Sequence, residues 1–276
     1  MGDALRKELL TYERVNPGNK KQIKELSDLE KEGFGTDLGS IELPQVLRFI
    51  TGNGWSWMQR LGNGSFKKTT GVIELIPLVK ALRYNPFEIK RDLSNSPFTI
   101  LMNSQKTAFK DPRRFAEDKD IVFHHAITMS KSERGKGYGT SLLKYALENT
   151  PNARHSNIIC FIDAAIIDDK SKKLKLLPNE SSYALHLAAG FLLIGVVEPP
   201  VYDYVTTYYS FMRFGSLCSY RFDETAKERV VNLIDEPKIE KTLTKIKRLT
   251  SLGYVGTDYD KKTHLMVFRK IKKPDC

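Results

Sequence analysis

Cysteine pairs and long apolar runs are absent from this sequence. Its three cysteines, Cys160, Cys218 and Cys276, are widely spaced and form no C-x-x-C motif. An odd number of isolated cysteines is typical of reduced thiols in a reducing compartment. The longest apolar stretch, residues 184–197, is too short to cross a bilayer, and the N-terminal residues lack the apolar core of a secretory signal. We therefore expect a cytoplasmic protein with no membrane segment.

Negative charge is also in short supply. The chain has 44 Lys and Arg against 33 Asp and Glu, a net charge of +11, with 41% hydrophobic and 28% charged residues. This composition is that of a folded globular protein. The excess of positive charge favours an anionic partner, either a phosphorylated cofactor, an acidic substrate, nucleic acid or a membrane surface. We do not expect nucleic acid, because no nucleic-acid motif is present and the basic stretch 238–248 is typical of a solvated helix face.

Hydrophobic periodicity and turn residues divide the chain into short alternating elements. The predicted strands are 9–15, 56–61, 69–77, 98–102, 121–129, 157–167, 191–197, 205–214 and 265–271. The predicted helices are 20–32, 41–50, 138–149, 179–189 and a charged segment from 224 to about 252. We expect a domain over 1–215, interrupted by an insertion at 78–120, and a C-terminal extension over 216–276.

A glycine-rich hexamer, Arg-Gly-Lys-Gly-Tyr-Gly at 134–139, lies between the apolar strand 121–129 and the amphipathic helix 138–149. Glycine lets the backbone turn sharply and lets a ligand approach main-chain N–H groups. The start of the helix adds unsatisfied donors and a positive dipole end. Lys131, Arg134 and Lys136 bring positive charge to the same place. The hexamer therefore predicts a phosphate site, and a pyrophosphate suits it better than a monoanion.

Three well-known phosphate loops do not fit this hexamer. No G-x-x-x-x-G-K-[ST] string occurs in the chain. The dinucleotide fingerprint needs a third glycine where this chain has Thr140. A kinase glycine loop would be flanked by strands on both sides, whereas 138–149 has the pattern of a helix.

The pattern [Arg/Gln]-x-x-Gly-x-[Gly/Ala], met by Arg134, Gly137 and Gly139, resembles the acetyl-CoA pyrophosphate loop of the GNAT superfamily of N-acetyltransferases. The order of elements over 120–215 resembles that family too, ending in a helix followed by Gly190-Phe191. The resemblance implies an α+β fold with a central mixed, mostly antiparallel sheet, splayed central strands and flanking helices, here with a small C-terminal α/β appendage. It implies these contacts with acetyl-CoA: Met129, Arg134, Gly135, Lys136, Gly137, Tyr138, Gly139, Thr140 and Asn179.

In members of this family the Met129 position supplies a main-chain N–H to the thioester carbonyl, and an Asn eleven residues ahead of the Gly-Phe glycine contacts CoA. Asn179 has that spacing from Gly190. The resemblance implies no metal. Acyl transfer from a thioester to an amine also needs a base to deprotonate the amine and an acid to protonate the leaving thiolate.

His125 is our candidate for the base, because an imidazole with a pKa near 6.5 suits this proton transfer. Adjacent strand residues point to opposite faces, and His125 shares its parity with Met129 while His124 does not. The alternative is that His125 is only a satisfied core histidine. Asp120 and Glu74 are weaker candidates, and Glu74, in phase with apolar neighbours, is either exposed or functional.

His186 stands where the family usually has a tyrosine acid, four residues before the Gly-Phe glycine. It could act as the acid only if it stays charged, and a histidine in an apolar helix is usually neutral. Tyr183, one helical turn earlier, is the substitute, and a reaction with no side-chain acid is a further alternative.

These features predict transfer of an acetyl group from acetyl-CoA to a primary amine by direct attack in a ternary complex. The alternative is a CoA-binding or protein-interaction module without catalysis. The acceptor, a small molecule or a protein, is not indicated by the sequence, and neither is the oligomeric state.

Overall fold

The computed structural model describes residues 10–34, 43–62, 67–81, 121–167, 174–176, 179–197, 206–215, 220–234 and 238–272. Among these residues no helix is both long and apolar enough to cross a membrane. The chain forms two compact units, Met1–Ile89 with Val122–Ala153, and Lys90–Ile121 with Arg154–Cys276. The predicted strand 98–102, Asp120, Cys218 and Cys276 lie outside the described residues.

In the part of the first unit that the structure describes, four strands form an antiparallel sheet with helices. Its elements are β1 (Leu10–Arg14), α1 (Lys20–Phe34), α2 (Leu43–Asn53), β2 (Trp55–Leu61), β3 (Lys68–Pro77), α3 (Leu78–Ala81), β4 (Ile121–Met129) and α4 (Tyr138–Asn149). The strand order is β1-β2-β3-β4. Each neighbouring pair is antiparallel. The predicted strands and helices of this part of the chain are confirmed, including the β2–β3 hairpin.

The core of the first unit forms around the apolar stripe of α1. Ile23, Leu26 and Leu29 recur at helical spacing, and all three are buried. They pack with Val15, Leu47, Met58 and Val72 from the neighbouring elements. Each fully buried aliphatic side chain of this kind contributes roughly 1.5–3 kcal/mol to the burial free energy. The stripe therefore presses α1 onto the sheet and brings its polar residues near β3 and β4.

The second unit is also an antiparallel sheet with helices. Its elements are β5 (Asn157–Ile167), β6 (Leu174–Leu176), α5 (Glu180–Ala188), β7 (Leu192–Val197), β8 (Thr206–Arg213), β9 (Arg229–Asn232), α6 (Ile239–Ser251), β10 (Tyr254–Asp260) and β11 (Leu265–Lys270). The strand order is β5-β8-β7-β10-β11-β9, and β6 pairs with β5. The predicted α+β class with mostly antiparallel strands flanked by helices is confirmed. The predicted boundary at residue 215 stays a prediction.

The prediction for residues 224–252 was wrong in part. We expected one charged helix, but Arg229–Asn232 forms β9, and α6 begins only at Ile239. β9 pairs with β11, more than thirty residues away, with Arg229 opposite Phe268. Strand β10 was missed altogether, because its Gly and Asp residues have low strand propensity. Strand β9 depends on a partner that is distant in sequence, which local patterns do not reveal, whereas β10 pairs with β11 in a hairpin.

Two helix-to-strand junctions in the second unit are alike. Helix α5 is followed by Gly190 with φ +85°, and α6 is followed closely by Gly253 with φ +82°. An aromatic residue comes next in each case, Phe191 or Tyr254, and a strand follows. Glycine tolerates the left-handed backbone that ends a helix in this way. The predicted end of α5 at Gly190 is therefore confirmed.

Candidate active site

The loop between β4 and α4 has a backbone that only glycine adopts easily. A short 3-10 turn, Lys131–Glu133, follows β4, and α4 begins at Tyr138. Between them Gly135 has φ +78° and Gly137 has φ +79°. A Cβ built on either glycine would meet no atom of the described residues within 4 Å. The loop thus has two left-handed glycines beside open space, as a loop that lets a ligand reach its backbone requires.

The first turn of α4 leaves backbone donors for a ligand. Gly137 is the N-cap residue, and it has no side chain to cap the helix. The first intrahelical bond runs from the Ser141 N–H to the Gly137 carbonyl, at 3.2 Å. The N–H groups before it have no partner within the helix, and they stand at the positive end of its dipole. An anion is the expected occupant of this end.

The side chain of Arg134 links the loop to the end of β4 by a hydrogen bond. Its Nε donates to the carbonyl oxygen of Met129 at 3.1 Å. Its Nη groups make no hydrogen bond within the described residues, and the side chain is exposed. The Met129 contact therefore fixes the guanidinium at the loop while leaving donors for a phosphate oxygen.

Two lysines contact the same loop. Lys136 Nζ lies 2.9 Å from Glu133 Oε2. Burial would raise the pKa of Glu133, but the hydrogen bonds from Lys136 and Ser132 outweigh it and lower that pKa. Lys68 Nζ, from β3, donates to Ser132 Oγ at 2.9 Å. Lys68 was not among the predicted site residues, because 64 positions separate it from its partner. Glu133 offsets one lysine, so Arg134 and Lys68 are the stronger candidates to attract an anion.

Helix α4 is held to the sheet at both ends. Buried Gln59 donates from Nε2 to the Tyr138 carbonyl at 3.2 Å, and Thr70 Oγ1 donates to the Gln59 side chain at 3.0 Å. At the other end, Trp57 Nε1 donates to Thr150 Oγ1 at 3.0 Å. These contacts fix the start of α4, and with it the direction of its N–H groups.

The main-chain N–H of Met129 points away from β3. Met129 is paired with Gly71, and the next N–H, that of Ser130, donates to the Thr70 carbonyl at 2.9 Å. Successive N–H groups of a strand point to opposite edges. The Met129 N–H therefore does not belong to the β3–β4 ladder, as its predicted role toward a thioester carbonyl requires. That role stays a prediction.

Strand β4 carries one residue more than β3 at His125. Glu74 pairs with Ala126 and Leu75 pairs with His124, so His125 has no opposite partner on β3. Such a β-bulge turns the side chain of the extra residue, His125, to the face on which the side chains of Ala126 and Glu74 lie. The alternation of side chains between the two faces of the sheet is therefore reversed on the other side of the bulge.

This bulge corrects the parity argument for the histidines. His125 does not share a face with Met129, because its ring lies on the face of Glu74, with Nδ1 2.8 Å from Glu74 Oε2. His124 pairs with Leu75 and so takes the face that Met129 occupies. The two histidines do point to opposite faces, as expected. However, His124 and not His125 lies on the face of Met129. His124 is buried, and its Nε2 lies 3.1 Å from the Ala126 carbonyl.

His125 lies beside two buried carboxyl groups, those of Glu74 and Glu30, and is more exposed than either. We call these three residues the acidic cluster. The His125 side chain is 28% exposed, whereas that of Glu74 is 0% exposed. Burial lowers the pKa of His125, but the hydrogen bond and charge of Glu74, together with the charge of Glu30, outweigh it and raise that pKa. Glu30, from α1, accepts a hydrogen bond from Thr128 Oγ1 at 2.6 Å. Burial first, and the charge of Glu74 second, raise the pKa of Glu30 to about 7.

Glu74 was predicted to be exposed or functional, and it is buried against His125. Glu30 was not predicted at all. A signal for it exists in the sequence, since it follows Ile23 by seven residues and thus lies on the apolar side of α1. A charged residue at such a position needs either a partner or a proton.

The remaining predicted residues lie in the second unit. Asn179 caps α5, with its side chain accepting from the Ser182 N–H at 3.3 Å. Tyr183 is buried, and its hydroxyl donates to the Asp163 carbonyl at 3.0 Å; burial, mainly, raises its pKa. His186 is buried, with Nδ1 2.7 Å from the Ser182 carbonyl. Burial lowers the pKa of His186 to about 4, so the imidazole is neutral at pH 7.

Comparison with known proteins gives structural similarity only. No protein-family model and no curated protein sequence matches this chain. An IAA acetyltransferase from Bacillus cereus is 12% identical, covering 74% of this chain and 98% of its own, with a TM-score of 0.42. A GNAT-family acetyltransferase from Streptococcus pneumoniae is 15% identical, with coverages of 74% and 98% and a TM-score of 0.42. An aminoglycoside 6'-N-acetyltransferase complexed with coenzyme A is 14% identical, with coverages of 74% and 96% and a TM-score of 0.46.

Proposed function

We propose that this chain is a GNAT-type N-acyltransferase that moves an acetyl group from acetyl-CoA to a primary amine, without a metal. The observation that carries the proposal is the loop at 134–139. It combines two left-handed glycines beside open space, a helix start without a side-chain cap, and a guanidinium whose Nη donors have no partner among the described residues. This combination suits a pyrophosphate, and its sequence is the pattern that resembles the acetyl-CoA loop.

The proposed reaction assigns one task to each group. The loop and the first turn of α4 bind the pyrophosphate of acetyl-CoA. The Met129 N–H, directed away from β3, donates to the thioester carbonyl and stabilises the charge that develops there. His125 Nε2 takes a proton from the ammonium of the acceptor, since Nδ1 already contacts Glu74. The neutral amine then attacks the thioester carbon, the C–S bond breaks, the amine nitrogen loses a second proton as the amide forms, and the thiolate takes up one proton.

The source of that last proton is open in the proposal. His186, neutral at pH 7, has no proton to spare at Nε2 while Nδ1–H donates to Ser182. The Tyr183 hydroxyl already donates to Asp163. These two facts favour a second candidate function, a CoA-binding module that has lost acyl transfer. Protonation of the thiolate by solvent keeps the enzyme proposal complete, because a thiol with a pKa near 8.5 needs no strong acid.

Two measurements separate these functions. Coenzyme A binding is measured by calorimetry for the wild type, for Arg134→Glu combined with Gly137→Glu, and for the control Arg248→Glu, an exposed arginine on α6. We expect the loop variant to lose binding at least about tenfold and the control to bind like the wild type. Equal binding by the loop variant would refute the assignment of the loop.

Catalysis is tested by release of free CoA from acetyl-CoA in the presence of small amines, polyamines and peptides. Amine-dependent release supports the enzyme. Tight CoA binding without release by any amine supports the binding module instead. The positive net charge makes a polycationic acceptor the least favoured class.

A further inference from the structure

Among the described residues, the acidic cluster at His125 consists of two buried carboxyl groups and one imidazole. Glu74 and Glu30 are 0% and 2% exposed, and His125 is the titratable base that both contact electrostatically. Two buried carboxylates beside one imidazole would leave at least one uncompensated charge, which is costly in a low-dielectric interior. A buried carboxyl group in this situation keeps its proton.

The hydrogen bonds of the cluster place the protons. Glu74 Oε2 takes the contact with His125 Nδ1 at 2.8 Å. Its other oxygen, Oε1, is buried and has no hydrogen-bond partner within the described part of the chain. Glu30 receives the Thr128 hydroxyl on Oε1 at 2.6 Å. An ionised Glu30 can only accept hydrogen bonds, as Glu74 Oε1 does. A protonated Glu30 carries an O–H donor, and Glu74 Oε1 has no donor partner among the described residues.

The fold builds this arrangement from two independent features. The β-bulge at His125 turns the imidazole to the face of Glu74. On the same face α1 approaches closely at Gly33, where any Cβ would overlap the Thr128 side chain. That approach brings Glu30, one turn earlier on α1, to Thr128 and to the charge of Glu74.

We infer that Glu30 keeps its proton up to about neutral pH, and that Glu74 is the positioning residue for His125. The Nδ1–H of His125 donates to Glu74, which leaves the Nε2 lone pair free. In the reaction an ammonium N–H bond breaks and an Nε2–H bond forms, while the Nδ1 proton and the Glu30 proton stay in place. Glu74 then stabilises the imidazolium without being protonated itself, and Glu30 prevents a second charge from forming beside it.

The catalytic meaning of this inference rests on the proposed acyl transfer, but the placement of the protons does not. The test therefore uses the free protein, without acyl donor, and NMR of 15N-labelled histidine. His125 is assigned by its loss in His125→Ala. We expect the Nδ1–H tautomer for neutral His125 in the wild type. Glu74→Gln should lower the pKa of His125 by about one unit or more and abolish the preference for that tautomer.

Glu30→Gln imitates the protonated carboxyl and is the matched variant. It should keep the tautomer and change the pKa of His125 by less than half as much as Glu74→Gln does. Infrared difference spectra at pH 6 should show the carbonyl stretch of a protonated carboxylic acid in the wild type but not in Glu30→Gln. An equal fall of the His125 pKa in both Gln variants, or no such infrared band, would overturn the inference.

If Glu74→Gln does not fold, Glu74→Asp serves in its place. Aspartate keeps the negative charge, but its shorter side chain holds the carboxylate farther from His125 Nδ1. The His125 pKa should then stay raised while the tautomer preference weakens.

In the acetyltransfer assay Glu74→Gln should lower kcat about 10²-fold with the KM for acetyl-CoA unchanged, and Glu30→Gln should stay within about threefold of the wild type. Absence of acetyl transfer in the wild type would refute the proposed function and leave the NMR result to decide the proton placement alone.

Discussion

The Nδ1 atom of His125 lies 2.8 Å from Oε2 of Glu74 because β4 has one residue more than β3 at this point. In a regular ladder His125 would face the side of Met129, and His124 would face Glu74. The insertion of one residue exchanges the two histidines. It couples a partly exposed imidazole to a fully buried carboxylate, an arrangement suited to a general base.

Replacing His125 by Ala should slow acetyl transfer about 10²–10⁴-fold, because the acceptor ammonium loses its base. Binding of CoA should not change, since the loop at 134–139 is intact. For the wild type the rate should rise with pH as His125 loses its proton, with a midpoint above the ordinary value of 6.5 because its pKa is raised. Initial rates from pH 5 to 9 measure both effects, with the exposed His155→Ala as control. An unchanged rate in His125→Ala would disprove the assignment.

Replacing Gly137 by Ala should weaken CoA binding at least about tenfold, because the added methyl group occupies space beside the helix start. The left-handed backbone also costs alanine about 1 kcal/mol of stability. Gly253→Ala is the matched control, because Gly253 has φ +82° against +79° and its Cβ would come no nearer than 3.8 Å to another atom. Calorimetry and thermal melting should show equal destabilisation but lost binding in Gly137→Ala only. Equal binding by the two variants would contradict the loop assignment.

Replacing Gly33 by Ala should destabilise the protein by about 1–3 kcal/mol, because the new methyl group overlaps Thr128 and forces α1 away from β4. Gly52→Ala provides the contrast, since both glycines are the penultimate residues of their helices. The nearest atom to a Cβ at Gly52 is 4.0 Å away, so better helix propensity should stabilise that variant by about 0.5–1 kcal/mol. Urea denaturation measures both, and a loss of stability in Gly52→Ala alone would refute this account.

Two tyrosines in contact should respond in opposite ways to the loss of a hydroxyl. The rings of Tyr183 and Tyr209 are 5.5 Å apart. Tyr209 Oη is buried with no hydrogen-bond partner among the described residues, whereas Tyr183 Oη donates to Asp163. Tyr209→Phe should be neutral or stabilising by about 1 kcal/mol, and Tyr183→Phe should destabilise by about 1–2 kcal/mol. Thermal melting of both variants decides this, and a larger loss for Tyr209→Phe would show that its hydroxyl is satisfied.

The stability of the protein should depend on the protonation of Glu30. Its pKa is raised from the ordinary 4.5 to about 7 on folding. The native state therefore binds the proton more tightly, and this contribution is complete below pH 4.5 and is lost as the pH rises through 7. A shift of this size corresponds to about 3 kcal/mol.

Glu30→Gln removes that dependence, because its amide does not titrate. Relative to the wild type it should gain stability between pH 4.5 and pH 8, by up to about 3 kcal/mol. Denaturation curves at a series of pH values measure the difference. A constant difference across this range would mean that Glu30 is charged in the native state.

Much of the fold could be predicted because its elements are locally specified. The period of Ile23, Leu26 and Leu29, the apolar run of β4 and the glycine after α5 each point to one structure through short-range patterns. Strand β9 could not be predicted in this way, because it pairs with residues more than thirty positions away, such as Phe268. Strand β10 was missed because Gly and Asp interrupt its strand pattern.

The residues of the candidate site likewise fall into those that local sequence predicts and those that depend on distant parts of the chain. The loop at 134–139 was predictable from six consecutive residues, because glycine conformation and a helix start are local properties. Lys68, Glu30 and the face of His125 were not, because each depends on residues far away in the chain or on the register between two strands.

By itself, then, the sequence determined that a phosphate-type loop follows a buried strand and precedes a helix, and that a histidine lies four residues before the end of that strand. Only the tertiary structure decided which carboxylates meet this histidine and on which face. The physical reason is that side-chain alternation along a strand is a rule of regular pairing, and a single unpaired residue, visible only when β3 lies beside β4, reverses it.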